Sequence, residues 1–251
     1  MPRYHEWMRR TMARGPRIGH GPELWADLSA HPAVPRLQSV AQAHGRSLDS
    51  SDATYYLTRS LLLDVIHAAS GIEYSVEKLL DALDVVQQWS DANPWEGSAP
   101  AEYEVAPERW DVSFEVSNLV VWARILRDRL QTDVRGKDMK IGLLPALAEG
   151  DLKDQVQGFY DELANWVEAE TYLAGYTLHI GRLHGGTPVL QRGPDGRVRF
   201  LLPDRLGSRV WSWEEFTYRQ NRDAQAVAAA LLQRIERFMD RLLSSLELHV
   251  T

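Results

Sequence analysis

The chain of 251 residues has no cysteine, which removes disulfides, thiolate metal ligation and cysteine nucleophiles together. That suits a reducing compartment, and a cytoplasmic protein is the expectation. Lysine is nearly as scarce: 24 of the 28 basic residues are arginine, which reads as coding bias rather than as a functional signal. Long apolar runs are missing as well. The most apolar stretch, 55–69, is interrupted by Arg59, Asp64 and His67 and falls short of the roughly 18 residues a membrane span requires. Pro2, His5, Glu6, Arg9 and Arg10 break any secretory leader core, so neither a membrane nor export is expected. The chain also lacks Gly-x-Gly-x-x-Gly, a Gly-Lys-Ser/Thr phosphate loop, a Gly-x-Ser-x-Gly elbow and His-Glu-x-x-His. Nucleotide-driven chemistry and serine hydrolysis are therefore disfavoured, and no cofactor is expected.

The residues present are those of an ordinary globular protein, 44% hydrophobic and 25% charged, so a folded chain rather than global disorder is the expectation. A net charge of −7 argues against a nucleic-acid binder that uses its whole surface. The charge is uneven, however. Residues 71–115 hold eleven acids against Lys78 and Arg109, whereas 182–222 hold eight arginines against Asp195, Asp204, Glu214 and Glu215. The basic stretch can bind phosphates locally, or the two regions can neutralise each other within the fold or across a dimer.

Along the chain, residues 1–50 are rich in Pro, Gly and His and read as an irregular N-terminal arm. Its Trp7, Met8, Met12, Leu24, Trp25 and Leu28 suggest short helical pieces packed on the body. Residues 51–251 read as one helical domain. Ser50, Ser51 and Asp52 offer caps for a helix to about Ser70, with Leu62, Val65, Ile66 and Ala69 on one stripe. Gly71 reads as punctuation and Ser75 as the cap of a second helix through Trp89, making an αα-hairpin. An acidic, proline-bearing loop follows over 91–106. The next helix starts near Pro107, with Phe114, Asn118, Val121, Ile125 and Leu126 inward. Leu143 to Ala148, with Pro145, allows at most a turn of helix. A long helix opens at Asp151, with Val156, Phe159, Leu163, Trp166 and Val167 on its buried face.

After Gly185-Gly186 the period becomes two. Val189 and Gln191, then Gly193-Pro194-Asp195-Gly196, then Val198, Phe200 and Leu202 predict a β-hairpin over 187–203. The last helix, from Asp223 to about Leu248, has the clearest stripe, from Ala224 through Leu231, Ile235 and Leu242 to Leu246. The expected fold is all-α, an up-and-down helical bundle with a small β-hairpin inserted before the C-terminal helix.

Three sets of residues could carry chemistry. His179, Arg182 and His184 fall where the long helix gives way to the Gly-Gly turn. Histidine can act as acid or base near neutral pH, and arginine can hold a phosphate or carboxylate through two donors. Equally, one imidazole can pack at a bundle end while the other caps a carbonyl. Arg192, Arg197 and Arg199 interleave with Val198 and Phe200 on the hairpin, with Trp211 and Trp213 beyond. Such a ribbon can follow a phosphate backbone and stack on unpaired bases, and any half-buried hairpin makes the same pattern. Asp64 and His67, three apart, form a single Asp-Val-Ile-His where a carboxylate-type bundle site would need two Glu-x-x-His copies, so no metal is expected.

A helix reading Phe-Glu-x-Ser-Asn (114–118), then Arg-x-Leu-Arg-Asp-Arg-Leu (124–130), leads to a helix ending near a histidine, a small hairpin and a final helix. Over 52–249 this order resembles the HEPN superfamily of helical-bundle proteins, found in prokaryotic defence and toxin systems. The resemblance implies a dimeric bundle and, in active members, a metal-independent ribonuclease with an Arg-x4–6-His motif. This chain departs from that motif. Positions 172–174, ahead of His179, are Tyr, Leu and Ala, and positions 177–179, ahead of His184, are Thr, Leu and His. The one matching spacing, Arg14 to His20, lies in a Gly-Pro loop. Either Arg182 substitutes from beyond His179, or the chain is a non-catalytic member. The expectation is an RNA-associated or interaction module, homo-oligomeric or bound to a protein partner, with ribonuclease-like hydrolysis its only enzymatic option. Two rivals stand beside it. One is a small-molecule enzyme with a Trp-lined bundle pocket and His179 or His67 as acid–base. The other is a structural subunit that sets its acidic 91–111 loop against a basic partner.

Overall fold

The computed structural model describes residues 3–13, 24–29, 31–92, 109–136, 138–179, 189–193, 195–202, 204 and 217–248. Among these the chain is mostly helical, with two small antiparallel sheets. In order the elements are α1 (Arg3–Ala13), α2 (Ala33–Ala43), α3 (Ser50–Ala92), α4 (Arg109–Leu130), β1 (Thr132–Asp133), β2 (Lys140–Ile141), α5 (Leu143–Ala146), α6 (Asp151–His179), β3 (Val189–Arg192), β4 (Val198–Leu202), β5 (Arg222–Asp223) and α7 (Ala224–Leu248). They belong to two compact units. Unit 1 comprises Met1–Ser70, Ile125–Ala164 and Ile235–Thr251; unit 2 comprises Gly71–Arg124 and Asn165–Arg234.

The 43-residue α3 replaces the expected αα-hairpin. Its start is capped by Asp49, one residue before the predicted Ser/Asp cluster: the Asp52 N–H donates to Asp49 Oδ1 at 2.7 Å. Gly71 does not end the helix. A Cβ at Gly71 would run into the Trp122 ring of α4, so glycine is there to let an indole lie against the helix backbone. Ser75, read as a cap, is a buried residue inside α3. A glycine needed for close approach and a glycine that breaks a helix look alike in a sequence.

In unit 1 the core is apolar. Val65, Ile66 and Ala69 of α3, Leu126 and Leu130 of α4, and Ile235, Met239 and Leu243 of α7 are buried, each Leu or Ile side chain contributing about 1.5–3 kcal/mol. Phe159 of α6 stacks on Phe238 of α7, with ring centroids 3.8 Å apart. Residues 24–26, expected as a helical piece, run instead beside α5. The Ala26 N–H donates to the Ala146 carbonyl at 3.0 Å and the Ala148 N–H to the Leu24 carbonyl at 2.9 Å, around a Trp25–Leu147 bridge. β1 and β2 pair antiparallel, Thr132 opposite Ile141, a small hairpin that the sequence pattern did not reveal.

In unit 2, α4 turns a different face inward from the expected one. Phe114 is 55% exposed and Asn118 is exposed, while Val112, Val116, Leu119, Val120 and Ala123 are buried. Ser113 and Ser117 lie on that buried face, where the Ser117 hydroxyl donates to the Ser113 carbonyl at 2.9 Å. The large Phe drew the expected stripe; the real one runs through small and β-branched residues. β3, β4 and β5 form one antiparallel sheet in that order. The hairpin is where it was expected, but β3 carries the opposite parity. Leu190 faces Phe200 and Arg192 faces Val198, so the even residues of β3 share the Phe200 side. The third strand, Leu202 opposite Arg222, was not foreseen because two residues are too short for a periodic signal.

Candidate functional site

The hairpin of unit 2 is built on the end of α3. Its turn is closed by the Gly193 N–H donating to the Arg197 carbonyl at 2.8 Å, by the Arg197 N–H donating to Asp195 Oδ1 at 3.2 Å, and by Gly196 at φ +79°. Gln87, on the last turns of α3, replaces a strand partner. Its Oε1 accepts from the Val198 N–H at 2.8 Å and its Nε2 donates to the Gly196 carbonyl at 3.1 Å. Arg192 completes the joint. Its guanidinium donates to the Ser90 carbonyl at 2.9 Å and to Ser90 Oγ at 3.3 Å, and it pairs with Asp91 at 3.3 Å. A cation on carbonyls left open in the last turn of a helix is favoured by the helix dipole as well as by hydrogen bonding.

Arg192 therefore differs from its two companions. Arg197, just before β4, and Arg199, within it, are exposed, and neither guanidinium meets a partner among the described residues. Phe200, on the opposite face of β4 from Arg199, is 1% exposed and supplies packing rather than a stacking surface. Among the described residues of unit 2 the exposed aromatics lie on helices instead, Tyr74 of α3 and Phe114 of α4. Lys78 sits over the Tyr74 ring at 5.8 Å from its centroid. Its ammonium donates to Asp81 at 2.7 Å, and that hydrogen bond holds its pKa above the usual lysine value.

The far side of the sheet is fastened by buried charge. Arg222 of β5 donates to Glu170 of α6 in a charge-assisted bond whose carboxylate side chain is wholly removed from solvent. Beyond the end of β4, buried Asp204 binds the residues just ahead of β5. The Thr217 hydroxyl, the Arg219 N–H (2.9 Å) and the Gln220 N–H (2.8 Å) all donate to its carboxylate, and its own N–H donates to the Thr217 carbonyl at 2.6 Å. Burial alone would raise the Asp204 pKa. The hydroxyl, the two amides and the Arg222 charge outweigh it and hold the group below its ordinary 3.8. Sequence reading missed Gln87, Glu170, Asp204 and Arg222. The available signal was polar residues on otherwise apolar helix faces, as at Glu170 three residues after Val167.

His179 is the last residue of α6, and only its backbone is described. Arg182 and His184 lie outside the described residues, as do Trp211 and Trp213 and residues 93–108 of the acidic loop. His67 is exposed on α3, and Asp64 pairs with Arg129 at 3.7 Å. Among the described residues no group of three or more His, Asp or Glu side chains is arranged to hold a metal ion, and no helix is long and apolar enough to cross a membrane. Compared with known proteins, the chain matches no family model, no curated protein and no solved structure.

Proposed function

We propose that the chain is a HEPN-like helical-bundle module of the prokaryotic defence or toxin type, acting as a homodimer, that binds single-stranded RNA along the arginine edge of its hairpin and does not cleave it. The observation that carries this reading is the division of labour among the hairpin arginines. Arg192 is spent on α3, whereas Arg197 and Arg199 stand exposed side by side on a ribbon that Gln87 and Arg192 hold rigid. Two exposed arginines two residues apart, with no side-chain partner among the described residues, can each neutralise a phosphate of a single strand. No arginine stands at 172–174 ahead of His179 or at 177–179 ahead of His184, and this departure from the Arg-x4–6-His spacing supports binding without hydrolysis.

A mobility shift with single-stranded RNA at low salt tests the proposal. The wild-type chain retards the RNA and leaves its length unchanged, and the Arg197→Glu, Arg199→Glu double variant does not retard it. Arg192→Gln lowers stability while the folded protein keeps its affinity. Absence of any shift at low salt, or an undiminished shift in the double variant, overturns it.

A further inference from the structure

In unit 1, α1 is held on α7 by contacts from one of its faces. Arg3, Trp7 and Arg10 follow one another at four and three residues and so project from the same side of the helix. Trp7 is fully buried, and one turn on, the buried Thr11 hydroxyl donates to the Trp7 carbonyl at 2.9 Å. On either side of the indole the arginines grip α7. Arg3 reaches Glu236 and Asp240, both at 3.4 Å. Arg10 reaches Glu247 at 2.9 Å, Asp240 at 3.5 Å and Ser244 Oγ at 3.2 Å. Residues 236, 240, 244 and 247 recur every three or four positions and form a single polar ridge along α7.

Three features limit how tightly α1 is held. An eleven-residue helix has little stability alone in water, so α1 is ordered by the ridge it sits on. The ion pairs are partly solvated and therefore weakened by salt. Among the described residues the buried indole N–H of Trp7 has no acceptor, so the anchor leaves one polar group unsatisfied there. Release of α1 would uncover the carboxylates of Glu236, Asp240 and Glu247 and the place of the buried Trp7 indole.

We propose that this face of α7 is a docking groove for a basic amphipathic helix. α1 is its occupant within the chain, and a partner protein's helix of the same chemistry, two arginines seven residues apart bracketing an aromatic, is its second. The mode is helix-in-groove recognition with an aromatic anchor and charged flanks. Tethering gives α1 a high effective concentration, so a partner displaces it only by binding better. An anchor without an indole N–H, such as phenylalanine, removes the unsatisfied donor and supplies one route to that advantage.

The probe is a fluorescein-labelled peptide of residues 1–15, titrated with the full-length chain and with full-length Arg3→Glu, Arg10→Glu. The variant, whose own α1 is repelled by the ridge, binds the peptide at least about tenfold more tightly than wild type does, since removing the cis competitor uncovers the site. A Trp7→Ala peptide does not bind, and high salt weakens the wild-type peptide. Hydrogen exchange on the unaltered chain reads the same device: amides of α1 exchange faster than those of α7, and added salt accelerates α1 alone. Equal, weak peptide binding by both chains, with the variant still helical by circular dichroism, overturns the proposal. So does protection of α1 that equals that of α7 and ignores salt, and this exchange result decides alone if the charge-reversed chain fails to fold.

Discussion

Replacing Gly71 by alanine sets two effects of opposite sign against each other. Inside an exposed helix the change stabilises by about 1 kcal/mol, because glycine gives up more backbone entropy on folding. At Gly71 the added methyl meets the Trp122 ring, and forcing a methyl into an occupied space costs about 1–3 kcal/mol. The steric effect wins by about 1 kcal/mol, and for a chain of this size that lowers the melting temperature by about 2–4 °C. A double-mutant cycle identifies the cause. With Trp122→Leu in the background the obstruction is gone, and Gly71→Ala becomes stabilising by about 1 kcal/mol. Urea unfolding followed by circular dichroism measures all four proteins. If Gly71→Ala destabilises equally in both backgrounds, the glycine serves a backbone bend and the continuous α3 is wrong. If it stabilises the wild-type background, the indole is not where the structure has it.

Three further outcomes follow from the same contacts. Arg222→Met leaves the Glu170 carboxylate buried without its cation and costs about 3–5 kcal/mol in urea unfolding, while the double variant with Glu170→Leu recovers most of that loss; equal stability of the single and double variants would refute the pairing. Asp49→Ala removes the cap of α3 and costs about 1 kcal/mol, and an unchanged urea midpoint would place the cap elsewhere. Burial holds the His31 imidazole below its ordinary 6.5, and its Nδ1 accepts from the Ala33 N–H at 3.2 Å at the start of α2. Because the folded value is the lower one, its contribution is complete above about pH 6.5 and is lost as pH falls through the folded value. The stability difference between wild type and His31→Asn therefore shrinks between about pH 7.5 and about pH 5, and a difference that grows on acidification would reverse the sign.

The sequence displays the long apolar stripes plainly, and α6 and α7 fall where periodicity places them, with Val156, Leu163 and Val167 or Leu231, Ile235 and Leu242 buried. The hairpin turn was equally legible, since Asp195 and Gly196 do what turn chemistry asks of them. What failed was every judgement resting on a single residue whose role depends on a distant neighbour. Gly71 looks like a helix end until Trp122 is beside it. Phe114 looks like core until Ser113 and Ser117 are seen to take the inner face. Arg192, Arg197 and Arg199 look equivalent along the strand, and only the arrival of Ser90 and Asp91 separates the first from the others. Polar joints such as Glu170 with Arg222 join residues 52 positions apart and leave no local pattern to read.

The direct measurement of the central claim is the salt dependence of RNA affinity, by fluorescence anisotropy of a labelled single strand between about 50 and about 200 mM salt. If Arg197 and Arg199 each displace a counterion, the double glutamate variant binds more weakly and its log–log slope is shallower by about 1.4, two contacts at about 0.7 each for a single strand. Identical slopes and affinities for the wild-type and variant chains, or no binding at the lowest salt, would contradict the assignment of this hairpin as an RNA-binding edge.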